Sequence, residues 1–223
     1  MLYRIYLLSS LLPIVCFVVF CIKKAPKELW VIFFISLTSV VIDMVLATNV
    51  WASSHRFTVW LIMDLIELTF FSLFFSLIFK RKKERLLIVL LYSIYLIFFV
   101  IFLKLNSDEY KSASNAIESL IILSLSVYYL VNFSLKSNAS ESIISPLFLI
   151  VVALMLNVSS TLFVNLISNN QTESELRKYW YITNIAVIGT NILISIAFVM
   201  QKYRKIPPPA GNRNVDFTFP DDR

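Results

Sequence analysis

Apolar residues run along this chain in seven blocks, at about residues 5–22, 29–48, 57–79, 86–103, 114–133, 146–167 and 180–201. Each block approaches the roughly twenty residues that an α-helix, rising about 1.5 Å per residue, needs to cross a hydrocarbon layer about 30 Å thick. The pattern predicts an all-α integral membrane protein, a bundle of seven transmembrane helices. The polar gaps between blocks are short, which makes consecutive helices antiparallel neighbours and leaves no room for a soluble domain among them. Residues 1–205 are read as one transmembrane domain. Residues 206–223, with Pro207, Pro208 and Pro209 followed by polar positions, are read as a flexible cytoplasmic tail.

The charges between the blocks give the predicted orientation. The first, third and fifth gaps and the start of the tail carry Lys23, Lys24, Lys27, Lys80, Arg81, Lys82, Lys83, Arg85, Lys136, Lys202, Arg204 and Lys205, against Arg4, Arg56, Lys104, Lys111, Arg177 and Lys178 on the other side. The positive-inside rule then sets the N-terminus outside and the C-terminus in the cytoplasm. Trp30, Trp51, Trp60, Tyr110, Tyr179, Trp180 and Tyr181, near the block ends, suit aromatic belts at the two interfaces.

Composition agrees with a lipid environment: 58% of the residues are hydrophobic, 15% are charged, and the mean hydropathy is +0.78. The formal net charge of +6 is accounted for by the orientation signal, so no nucleic-acid surface is expected and the first partner is the lipid bilayer. Arg4 precedes the first block in the manner of a signal peptide, but the block ends in Lys23 and Lys24 without a small-residue cleavage site, so it is read as a retained helix. Cys16 and Cys21 both fall in that block, which leaves no disulfide framework and no zinc knuckle. With one histidine and two glycines the chain cannot form HExxH, a P-loop or a dinucleotide fingerprint. A retinal protein would need a lysine within the last helix, and residues 180–201 contain none. No cofactor or metal is expected, and enzymatic activity is disfavoured because no nucleophile or metal set accompanies the acids. Gly189 is the one glycine in any block and Pro13 lies in the first alone, which argues against a transporter built on broken helices.

The informative positions are the polar ones that the apolar blocks carry: Asp43 in the second, Asp64 and Glu67 in the third, Glu118 in the fifth, Asn157 in the sixth, and Asn184 and Asn191 in the seventh. Ionisable groups are costly in hydrocarbon and normally face a bundle interior or a wet cavity. With the third helix entering near residue 57, Asp64 should lie roughly 10 Å deep and Glu67 roughly 15 Å, near the midplane. All four acids then fall in the outer half. Helical spacing groups Asp64 with Glu67, Ser36 and Ser39 with Asp43, and Trp180 and Asn184 with Asn191 and Ser195.

These positions predict an acidic, polar pocket open to the outside. They are compatible with three roles: a sensory or signalling ligand-binding component, a small proton- or cation-coupled transporter using Asp64 and Glu67 as an acid pair, and a structural subunit whose Asn and Ser residues join helices by hydrogen bonds. With so little soluble mass, a sensor would work through a cytoplasmic or membrane partner at the basic inner loops. The cluster Lys80, Arg81, Lys82, Lys83 and Arg85 would also attract anionic lipid. His55, in the second gap, is expected to be solvated. Plentiful isoleucine, lysine, serine and asparagine with scarce glycine suit a bacterial inner-membrane protein from an AT-rich genome.

Overall fold

The computed structural model describes residues 2–23, 25–47, 56–105, 109–136, 145–168 and 173–203. Lys24, Trp51, His55 and the tail from 206 onward lie outside the described residues, as do the side chains of Asp43, Trp60, Tyr110 and Trp180. The described residues form seven helices and no strand. They are α1 (Leu2–Cys16), which runs on through a π turn (Phe17–Cys21), α2 (Lys27–Ala47), α3 (Arg56–Ile78), α4 (Lys82–Leu105), α5 (Glu109–Lys136), α6 (Pro146–Ser168) and α7 (Glu173–Tyr203). Five of them, α3 to α7, contain spans long and apolar enough to cross a membrane, and the shorter run Ile5–Cys21 is also apolar. The protein is a multi-pass membrane helical bundle. Several helices outrun their apolar blocks. α7 begins at Glu173 rather than near 180, because hydropathy marks the part of a helix that suits lipid while its backbone hydrogen bonding continues into the polar flank.

Six helices close a ring in the order α1, α2, α3, α5, α6, α7, with α7 packed back on α1. α4 stands outside this ring against α3 and α5. It docks through a narrow stripe, Ile88, Tyr95 and Phe102 buried and Tyr92 and Phe99 partly so, at alternating steps of three and four residues. Its other faces expose Leu86, Val89, Leu90, Ile97 and Val100, side chains suited to lipid. At its start the Glu84 carboxylate accepts the Arg81 backbone N–H at 3.2 Å, one half of a capping box, and also accepts the Tyr128 hydroxyl at 3.3 Å.

Pro13 has no N–H to donate within α1, and the π turn that follows closes with the Ile22 N–H on the Phe17 carbonyl at 2.9 Å. Phe17, fully buried in that turn, stacks on Phe33 at 4.5 Å and meets Trp30 and Phe198 edge-on at 4.8 and 5.1 Å. Trp30 therefore packs on the bundle's aromatic core, not only in an interfacial belt. Phe74, Phe75, Ile150, Val151, Leu125 and Ala197 complete this apolar layer.

Candidate functional site

One half of the ring collects most of its buried polar side chains. Between the six helices lies a cavity of about 360 Å³, placed toward the end of the bundle that holds the start of α1. Each wall repeats at helical spacing: Asp64, Glu67 and Phe71 on α3; Asn115, Glu118, Ser119 and Ile122 on α5; Asn157, Thr161 and Asn165 on α6; Thr183, Val187, Thr190 and Asn191 on α7. Tyr6 and Ser10 of α1 and Ser36 and Ser39 of α2 close the circle. No lysine, arginine or histidine is among the described residues that line it.

Asp64 is buried and well provided with donors. The Ser114 hydroxyl donates to Oδ2 at 3.1 Å, and the Asn115 amide, turned so that its nitrogen faces the carboxylate, donates to Oδ2 at 2.7 Å and Oδ1 at 3.0 Å. The Tyr95 and Ser114 hydroxyls are 3.2 Å apart, so a chain of polar contacts runs from α4 through α5 to α3. Tyr95 and Ser114 are both fully buried. α4, which contributes nothing to the cavity wall, thus reaches its edge through one phenol.

Glu118 differs. It is 6% exposed, and its Oε1 has no hydrogen-bond partner. Asn157 Oδ1 and Thr183 Oγ1 are likewise buried without one. Several neighbouring hydroxyls have their hydrogens committed to carbonyls: Ser10 to Tyr6, Ser36 to Ile32, Thr161 to Asn157 and, across to α6, Thr190 to Ala153 at 3.0 Å. Asn191 Nδ2 donates to Ser9 Oγ at 3.1 Å and ties α7 to α1. Among the described residues no group of three His, Cys, Asp or Glu side chains is placed to hold a metal ion.

Comparison with protein families, with curated proteins and with solved structures found no match to this chain. The site has to be read from its own geometry.

Of the positions singled out in the sequence, Asp64, Glu67, Glu118, Asn157 and Asn191 line one cavity. Asn184 is partly buried but does not line it, because the cavity face of α7 runs through Thr183, Val187, Thr190 and Asn191, with Asn184 beside it. The side chain of Asp43 lies outside the described residues, while Ser36 and Ser39 of its face do line the cavity. Sequence reasoning missed Tyr95, Ser114, Asn115, Thr161 and Asn165. The four-residue spacing of Asn157, Thr161 and Asn165 was a readable signal; nothing in the sequence marked Tyr95 as different from the other tyrosines.

Proposed function

We propose that this protein is a ligand-binding component of a bacterial inner membrane, a receptor whose cavity opens to the outside and takes up a small polar solute. The observation that carries the reading is a six-helix cavity that draws polar side chains from every wall, set among apolar ones, and ends in an apolar layer. Its volume of about 360 Å³ lies at the small end of the usual range for small-molecule sites, roughly 300–1,000 Å³. At the floor, Phe71, Ile122, Leu154 and Ile194 give way to Phe74, Phe75, Ile150 and Phe198, which offer a solute no further polar contact. Binding without passage suits a sensor better than a transporter.

The outward orientation rests on the bias of Lys and Arg in the gaps. The exposed side chains of Lys80, Arg81, Lys82, Lys83 and Arg85, at the opposite end of the bundle, are the surface for a signalling partner. The structural-subunit reading draws on the Asn191–Ser9 and Thr190–Ala153 contacts, which join helices without a ligand.

The test is thiol accessibility in whole cells. Thr161→Cys and Thr183→Cys, each with Cys16 and Cys21 replaced, should react with a membrane-impermeant maleimide added from outside. Full protection at both, with a loop control labelled from outside, would return the residues to a structural role.

A further inference from the structure

We infer that the ligand presents a primary ammonium or a comparable N–H-rich cation, and that Glu118 is its counter-ion. This rests on the receptor reading above and names the chemical class of solute that the same cavity takes.

A carboxylate buried without a donor is costly, and Glu118 Oε1 is such an acceptor, in a residue more than nine-tenths buried on the cavity wall. Asn157 Oδ1, on the facing helix α6, is a second unmatched acceptor. The hydroxyls of Ser36, Thr161 and Thr190 spend their hydrogens on backbone carbonyls, so each offers the cavity lone pairs alone. The described lining contains no Lys, Arg or His to answer them. The donors that the wall does hold, the Thr183 hydroxyl among them, are neutral, so the solute that best completes the wall brings N–H groups and positive charge to the carboxylate.

Of the three carboxylates on the wall, Asp64 is met by Ser114 and Asn115, Glu67 is only partly buried, and Glu118 is the one with a buried oxygen that has no partner among the described residues. A transition-metal ion is the poorer fit, since no three His, Cys, Asp or Glu side chains converge among the described residues. A quaternary ammonium has no N–H to give. An ammonium with three donors on a short hydroxylated skeleton suits both the acceptors and the volume.

The experiment uses the full-length Thr161→Cys protein in the Cys-replaced background, with maleimide labelling as the readout and matched pairs of probes as protectants: ethanolamine against ethylene glycol, putrescine against 1,4-butanediol, glucosamine against glucose. At least one amine should slow labelling in a saturable way while its neutral twin does not. Glu118→Gln should weaken that protection roughly tenfold or more, the loss expected for a charge-assisted hydrogen bond. Two results overturn the inference and leave the receptor reading standing: a neutral twin that protects as well as its amine, or position 161 labelling freely with no amine protecting it. If positions 161 and 183 are both inaccessible to the reagent, the receptor reading itself falls. Glu118→Gln keeps the size and shape of the side chain, so the variant should fold; unchanged protection in it also overturns the assignment.

Discussion

At the scale of single residues, two buried serines of α5 separate a polar group that holds a partner from one that holds none among the described residues. Ser114 is fully buried and holds Asp64 Oδ2 at 3.1 Å, with the Tyr95 hydroxyl 3.2 Å away. Ser126, on the same helix and equally buried, has an Oγ with no partner. Ser114→Ala should therefore lower stability by about 1–3 kcal/mol, because a buried carboxylate loses a donor, while Ser126→Ala should leave it unchanged or raise it. Thermal unfolding of both variants in nanodiscs compares them directly; equal losses would mean that the Asp64 network contributes nothing. The acids themselves were legible in the sequence, since a carboxylate inside an apolar run always invites a reason. Ser114 and Asn115 were not, because they stand where the fifth apolar block begins, and a polar residue there normally meets water. Only the depth of α5 within the ring, beginning at Glu109, turns them toward Asp64.

At the scale of the element, the seven helices were legible because lipid demands long apolar runs, whereas their arrangement was not. In a bilayer the side of a helix that faces lipid is as apolar as the side that faces the core, so hydropathy does not reveal that α4 stands outside the ring. Its docking stripe of Ile88, Tyr95 and Phe102 emerges once burial is known, because Leu86, Val89 and Ile97 between them are just as apolar. The pair α6 and α7 shows the opposite case, in which one small residue signals close approach. A Cβ at Gly189 would come within 3.3 Å of Leu156 Cδ2, and the adjacent Thr190 hydroxyl bonds the Ala153 carbonyl of α6. Gly189→Leu should force the two helices apart and cost about 1–3 kcal/mol through overpacking and the strained Thr190 bond. Gly189→Ala, which needs only a small shift of a flexible leucine, should cost much less. Melting temperatures of the two variants measured side by side test this, and a Leu variant as stable as the Ala one would show that α6 and α7 are not closely packed there.

At the scale of the whole molecule, the bundle is divided along its axis, and the division bears on the choice between binding and transport. From the cavity floor onward the buried side chains are mostly apolar, Phe17, Phe74, Phe75, Phe198, Ile150 and Val151 among them, and among the described residues the next buried carboxylate is Glu84, at the far end. An ion carried through such a layer would shed its water without replacement contacts, at a penalty reaching tens of kcal/mol for an unpaired charge in an apolar medium. A proton would need a chain of hydroxyls or carboxylates, and Ser126, buried and unpartnered, is too little to make one. Proteoliposomes containing the protein and an internal pH dye should therefore acidify no faster than empty liposomes under an imposed potential, and should accumulate no sodium. The same vesicles carrying Thr161→Cys should label with maleimide, which shows that the cavity is open while the path beyond it is closed. Proton uptake above background that disappears in Glu67→Gln would reverse the ranking, because it would require the apolar layer to part during a transport cycle and would make the acid pair on α3 a carrier of protons rather than part of a ligand's cage.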